Sequence, residues 1–275
     1  MNKSLLNLAR RWSAAVALGA AALTVQASFT ITLSYTGLTL AQQSHFSAAA
    51  SFWETVITGY KPGVTFTGLA ISAQGLAIDG VGGILGSAGP DSLASSQGTL
   101  YALTGSMEFD TADIDPLIGN GSFGAVIKHE MAHVIGFGTL WTDNGLYTNG
   151  TGKYTGVNAL ASYKAEFSRP TATFVPVELG GGPGTADGHW NEVDNGGGPT
   201  GIVDGQGRDM RQELMTGWLN APTFVSQMTA AQFQDLGYHV NLLAVPEPGA
   251  WALLLSGLPL AGFAAWRRRL AAERL

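Results

Sequence analysis

The chain has 275 residues, 12% of them charged, with 38 glycines, no cysteine and a formal net charge of −6. Without cysteine there is neither a disulfide framework nor a thiolate metal site, so any metal must be held by His, carboxylate or water. Residues 28–245 carry 7 basic against 18 acidic side chains, close to −11, which excludes the basic footprint that nucleic-acid binding needs. The length suits one large domain or two lobes around a cleft, and the glycine content suits long turns and loops.

Residues 1–27 read as a secretory signal: Lys3, Arg10 and Arg11 supply the positive region, residues 14–25 the apolar core, and Val25-Gln26-Ala27 the small residues before a cut near Ser28. The apolar run is short for an uncleaved anchor, so the body is expected to be exported.

Residues 29–35 (FTITLSY) alternate apolar and polar side chains and predict a strand. Over residues 41–58, Phe46, Ala49, Trp53, Val56 and Ile57 mark one face of a helix that Gly59 and Pro62-Gly63 stop. Residues 65–78 carry further short strands, and the Gly/Ser/Ala stretch 80–98 is expected to be a loop with no phosphate-binding pattern. Strand character resumes at 100–109, and 101–109 is the candidate for an edge strand that would pair with an extended peptide. Asp110, Asp113 and Asp115 then lead toward a helix capped by Asn120 or Ser122.

That helix carries the chemistry. In residues 123–141 (FGAVIKHEMAHVIGFGTLW), Phe123, Val126, Ile127, Met131, Val134 and Ile135 recur at helical spacing and predict a largely buried helix over 123–135. His129 and His133, four residues apart, are neighbours on it, with Cβ atoms roughly 5–6 Å apart. Both imidazoles can reach one metal ion, and Glu130 sits beside it to take a proton from bound water. Two chance histidines on a core helix would be the plain alternative, but an acid directly after the first has no packing reason in so apolar a segment. The pattern indicates a zinc hydrolase.

A catalytic zinc normally has three protein ligands and one open position. In thermolysin-like enzymes the third is a Glu from a following helix, for which Glu166 in ASYKAEF is the candidate. In metzincins the helix ends at a Gly and a His follows three residues later; Gly136 is in place for a left-handed turn, but Thr139 stands where that His would be, and Asp143 is too far along. The ordered motifs resemble the leishmanolysin-like metzincins, which carry an insertion between the Gly and a third His that Trp follows. Gly188-His189-Trp190-Asn191-Glu192 matches that element, Arg211-Gln212-Glu213-Leu214-Met215-Thr216-Gly217 resembles the family's Met-turn, and residues 228–238 (MTAAQFQDLGY) resemble its closing helix, with Thr229 as cap and Gly237 as its end. The resemblance spans roughly residues 99–240. It implies that His129, His133 and His189 hold Zn²⁺ over an apolar floor made by Met215, with Glu130 as general base. It also implies an α+β zincin fold: an N-terminal twisted mixed sheet with two long helices, an irregular C-terminal lobe, and the active-site cleft between them.

The chain departs from the family in having no cysteine, whereas the parent eukaryotic enzymes are rich in disulfides and use a propeptide cysteine to block the zinc. Some metzincins place a metal-contacting Tyr two residues after the Met, where this chain has Gly217; Tyr238 and His239 would substitute only if the fold returns them to the cleft. His45 reads as structural or exposed. Asp187, Asp194, Asp204 and Asp209, in the glycine-rich span 180–209, are hard oxygen donors suited to Ca²⁺, against the plainer reading of a polar loop around the metal site.

At the C-terminus, Val245-Pro246-Glu247-Pro248 precedes the uncharged residues 249–266 and then Arg267-Arg268-Arg269. Eighteen helical residues span about 27 Å, enough for a bilayer core, with Trp251 and Trp266 at the interfaces and the arginines on the cytoplasmic side. This order resembles the PEP-CTERM sorting signal of Gram-negative bacteria, which implies recognition by an exosortase, removal of the tail and delivery to the cell surface or matrix. The expectation is thus a signal peptide (1–27), a metalloprotease domain (28–244) and a sorting segment (245–275). The expected product is an exported zinc endopeptidase acting on protein or peptide substrates, processed by signal peptidase and exosortase and anchored by its C-terminal helix before processing. The competing reading is a non-catalytic surface or matrix protein that uses the zincin scaffold with a structural zinc.

Overall fold

The computed structural model describes residues 28–192 and 196–245. The expected signal peptide, the sorting segment apart from Val245, and Asp194 lie outside the described residues. No helix among the described residues is long and apolar enough to cross a membrane.

The chain begins with β1 (Ile31–Thr36), whose side chains alternate between half-buried and exposed as its sequence predicts. It turns into α1 (Leu40–Val56) through a capping box: the Thr39 hydroxyl accepts from Gln42 N–H while the Gln42 side chain accepts from Thr39 N–H. Phe46, Ala49, Ala50, Trp53 and Val56 form its buried face. The helix ends before the expected glycine, because β-branched Ile57 and Thr58 enter β2 (Ile57–Tyr60). Next come β3 (Leu69–Leu76), β4 (Gly86–Ser96), β5 (Thr99–Asp110), α2 (Thr111–Gly119) and α3 (Phe123–Ile135). The lobe beyond α3 is mostly irregular and holds β6 (Lys153–Tyr154), α4 (Val157–Glu166), β7 (Val175–Pro176), α5 (Gln227–Asp235) and β8 (Tyr238–Val240). The last of these pairs antiparallel with β2 and closes the C-terminal lobe onto the N-terminal one.

The main sheet has the order β1-β3-β5-β4. Its first three strands are parallel and β4 is antiparallel to β5, so the sheet is mixed, as expected for this α+β architecture. Two expectations are corrected here. Residues 80–98 are not a loop throughout: 86–96 form an eleven-residue strand. In consequence 101–109 is an interior strand, paired on both sides, and the edge of the sheet next to it is β4, with β1 at the opposite edge. A run of Gly, Ser and Ala has little strand propensity of its own, and its register comes from the ladder that β5 offers. Pro90 and the irregular pairing around Ser92 are tolerated because β4 has a neighbour on one side only. Asp110 does not merely lead to α3; its side chain caps the short α2 by accepting from Ala112 N–H.

Both α1 and α3 pack on the sheet. Phe46 of α1 meets Phe109 and Phe123 edge-on with centroids 5.1 and 5.8 Å apart, and Trp53 Nε1 donates to the Lys128 carbonyl of α3 at 3.0 Å. The approach of α3 to the sheet depends on Gly105 in β5, where a Cβ would run into Val134 and lie 2.7 Å from the Gly89 carbonyl oxygen. Gly105→Ala should therefore destabilise the protein by about 1–3 kcal/mol, with backbone on one side and the fully buried Val134 on the other. Urea unfolding at wild-type stability would contradict this close approach.

The C-terminal lobe is held by aromatic packing and carboxylate caps. Trp141 and Trp190 stack with centroids 4.9 Å apart, flanked by Phe137 and Tyr154. The helices α4 and α5 cap one another. Asp235 at the end of α5 accepts from Asn158 and Ala159 N–H at the start of α4, where Gly156 has no side chain to do so. Glu166 at the end of α4 accepts from Gln227 and Met228 N–H at the start of α5. Ser226, not Thr229, is the N-cap of α5, its side chain accepting from Thr229 N–H; the helix stops at Asp235, just before Gly237, and Tyr238 begins β8.

Candidate metal centre

The helix over 123–135 forms with the expected boundaries. Ser122 occupies its N-cap position without a side-chain cap bond, while Asn120 Oδ1 accepts from Ser122 N–H. On α3, His129 and His133 face the same side, and His189 arrives from the C-terminal lobe. The Nε2 atoms of the three imidazoles lie 3.0 Å apart in every pairing. The nitrogens all fall within the span of a single ion, and this is the one such cluster of three or more donors among the described residues.

The other ring nitrogens decide what this cluster is. Nδ1 of His129 meets the Leu214 carbonyl at 2.7 Å, that of His133 the Phe137 carbonyl at 2.8 Å, and that of His189 the Thr185 carbonyl at 2.8 Å. A carbonyl only accepts, so each Nδ1 carries the proton and each Nε2 presents a bare lone pair. Three lone pairs facing one another with no hydrogen between them form a cation site, and an all-imidazole donor set suits zinc. Burial keeps the rings neutral, lowering His129 to about 4 and His189 to about 3, and holding His133 well below the usual range; the neighbouring imidazoles push His133 and His189 further the same way. Neutral imidazole is the form a metal requires.

The helix must stop directly after His133 for the third histidine to reach it. At Gly136 φ is +132°, and the N–H groups of Gly136 and Phe137 both return to the Ala132 carbonyl. Thr139, where the compact metzincin pattern has its ligand, instead donates its hydroxyl to the His133 carbonyl at 2.6 Å. Gly138, with φ +73°, lies so close to Gly188 that any Cβ there would collide with the Gly188 backbone. This backbone-on-backbone approach admits the His189 segment. Trp190 locks the segment in place: its N–H donates to the Met215 carbonyl and its indole to Thr229 Oγ1.

Met215 is fully buried in the turn beside His189. That turn is held from both sides by acids that the sequence reading left without a role. Glu213 is 1% exposed and accepts from Met215 N–H, Ser226 N–H, the Ser226 hydroxyl and the Thr229 hydroxyl. Glu192 accepts from Gly217 and Trp218 N–H. Their place in the two motifs, Glu213 two residues from Met215 and Glu192 three from His189, was the available signal.

Glu130 is 7% exposed, and its carboxylate makes no hydrogen bond among the described residues. Burial raises it to about 8. Gly86 at the start of β4 lies against it, for a Cβ at Gly86 would be 3.2 Å from the Glu130 Cγ.

The remaining candidates lie elsewhere. Glu166 is bound to the start of α5, which removes it as an alternative third ligand. The Tyr238 hydroxyl donates to the Ile135 carbonyl at 3.1 Å, and His239 lies in β8 opposite Gly59. His45 packs edge-on against Phe123. Asp187 accepts from Tyr147 and Gly150 of the segment that follows α3, while Asp204 and Asp209 accept from groups of their own loop, Asp204 from Gln206 and Arg208, and Asp209 from Thr200, Gly201 and Arg211.

Comparison with known proteins agrees with this geometry. A family model described as Leishmanolysin matches residues 95–257, more than half of the chain. A leishmanolysin homolog of Crithidia fasciculata is 27% identical over 140 residues. The match covers 46% of this chain and 18% of that protein's length.

Proposed function

Because the chain belongs to the leishmanolysin family of metalloproteases, we propose that residues 28–244 form a zinc-dependent endopeptidase for protein or peptide substrates, with His129, His133 and His189 as ligands and Glu130 as general base. The observation that carries this reading is Glu130, 7% exposed and without a hydrogen-bond partner, on the helix that supplies two of the three converging imidazole lone pairs. A purely structural metal would leave that acid without a purpose, at a cost in desolvation. Zinc held by the three imidazoles supplies a Lewis acid that polarises the scissile carbonyl and acidifies the attacking water.

The protein's own groups do the rest. Glu130 takes the proton from the attacking water and returns it to the leaving amine nitrogen. Without metal, burial raises the Glu130 carboxyl to about 8; a cation held by the adjacent imidazoles would draw it back down, so that near neutral pH the carboxylate is free to accept the water proton. The Leu214, Phe137 and Thr185 carbonyls fix the tautomer and tilt of the three rings. Along the free edge of β4 an extended peptide adds as a further strand, and Gly86 allows it to pass close to Glu130.

Export through residues 1–27 and surface delivery through the C-terminal tail belong to the same proposal and rest on the order of charged and apolar segments at the two ends. Metal analysis tests the ligand set. His189→Ala should lose the zinc and keep its fold by circular dichroism, whereas Glu166→Ala should keep the zinc and lose stability. Retention of zinc in His189→Ala would refute the three-histidine site.

A further inference from the structure

We infer that the cavity between α1, the first turns of α3 and the segment 221–223 is a subsite for a carboxylate, the side chain of a Glu or Asp in the bound peptide. The cavity holds about 640 Å³ and is walled by both lobes. Its C-terminal wall, 221–223, runs into Phe224, whose N–H donates to the Gln212 carbonyl and whose own carbonyl accepts from Leu214 N–H. The Leu214 carbonyl in turn orients His129. On the opposite wall, Ala125 lies one helical turn before His129, so the cavity borders the histidine cluster.

The lining is positive. Lys128 and His45 belong to it and no Asp or Glu does, in a body where acidic side chains outnumber basic ones by 18 to 7. Lys128 is half-buried, with its ammonium 5.0 Å from the centre of the Phe52 ring, and it makes no ion pair among the described residues. The aromatic face attracts the ammonium but does not neutralise it. Ser122 also borders the cavity. It is 8% exposed and holds the N-cap position of α3, yet its hydroxyl makes no hydrogen bond among the described residues. Its φ and ψ of −93° and −14° are helical, whereas side-chain capping uses an extended N-cap. The Gly124 N–H, in the first turn, enters no hydrogen bond among the described residues either. A nearly enclosed hydroxyl without a partner is costly, and an anion at the positive end of the helix would relieve it. One ammonium and no guanidinium suit the single charge of a carboxylate rather than a phosphate dianion.

The peptide brings that carboxylate. Glu130 lies against Gly86 of β4, and Lys128, two residues earlier, stands about 200° away around the helix, over Phe52. A peptide added to β4 turns alternate side chains toward the enzyme, and one of these enters the cavity on the far flank of α3. The choice of a peptide as ligand rests on the peptidase reading; the carboxylate site itself does not.

Two measurements on the zinc-loaded full chain test this. Peptides carrying Glu or Gln at each position around the scissile bond should reveal one position where Glu raises kcat/KM by about tenfold or more, the scale of a charge-assisted hydrogen bond. Lys128→Met, which keeps an apolar stem over Phe52, should abolish that preference. Should Lys128→Met fail to fold, Ser122→Ala decides, with the Glu/Gln ratio reduced about threefold or more. Saturation-transfer NMR with N-acetylglutamic acid N-methylamide, which carries the side chain and no free terminus, reads the site without hydrolysis. This probe should bind the wild type, its glutamine analogue should not, and Lys128→Met should abolish the signal. If the chain cleaves no peptide while the probe still binds through Lys128, the carboxylate site stands and the peptidase reading falls. Peptide cleavage with no position favouring Glu, or a Glu preference that survives both substitutions, would overturn the subsite.

Discussion

Glu130→Gln should lower peptide hydrolysis by about 10²–10⁴-fold, the usual contribution of a positioned general base, while zinc content stays at the wild-type level. The amide keeps the shape of the side chain and the packing against Gly86 but cannot accept a proton. The same substitution should alter stability in the opposite sense. Burial raises the folded Glu130 to about 8 from a normal value of 4.5. The stability tied to its protonated form is therefore fully present below pH 4.5 and is lost as pH rises through 8. Metal-free Glu130→Gln should accordingly be more stable than metal-free wild type above pH 8, by on the order of a few kcal/mol, with the difference closing toward pH 4.5. Casein cleavage at the wild-type rate would eliminate Glu130 as the base and favour the non-catalytic reading. Equal stability of the two proteins at pH 9 would show that the carboxylate finds compensation when ionised.

The second large effect belongs to Glu213, which touches no part of the histidine cluster. Its two oxygens accept from Met215 N–H at 2.6 Å, Ser226 N–H at 2.9 Å, the Ser226 hydroxyl at 2.8 Å and the Thr229 hydroxyl at 2.6 Å. Glu213→Ala strands all four donors in a buried setting and should cost about 3–5 kcal/mol. The residue between Glu213 and Met215 is Leu214, whose carbonyl orients His129. Loosening that turn should also weaken zinc binding by about 10–100-fold, as loss of a ligand's orienting partner commonly does. Urea unfolding and zinc competition with a chelator measure the two effects separately. A variant of wild-type stability would mean that water replaces the carboxylate. Normal zinc affinity in a destabilised variant would mean that the Leu214 carbonyl is held by other contacts.

The contrast between these two acids shows what kind of information a sequence carries. Glu130 could be assigned a role because its partners are one and three residues away on a helix, and helical spacing translates directly into proximity. Glu213 stands two residues from Met215, closer along the chain than Glu130 is to His133. Its other partners, Ser226 and Thr229, are thirteen and sixteen residues off, across an irregular turn with no periodicity to follow. The edge strand failed for a related reason. Residues 86–96 are Gly, Ser, Ala, Pro and Asp with one exposed Leu, so neither alternation nor propensity marks them; the ladder to β5 alone makes them a strand.

By itself the sequence determined the helix over 123–135, the placement of His129, Glu130 and His133 on it, the first strand and helix, and the absence of any thiolate ligand. All of these follow from local periodicity, capping and composition. His189 could be named through its resemblance to a family motif, but nothing local carried it to the other two histidines. The tertiary structure did that. Gly136 ends α3, Gly138 allows the backbone at Gly188 to approach within a distance no side chain would permit, and Trp190 fixes the segment against the Met215 turn. Residues 133 and 189 are brought together by close backbone contact and by hydrogen bonds between distant segments, and neither leaves a periodic trace along the chain.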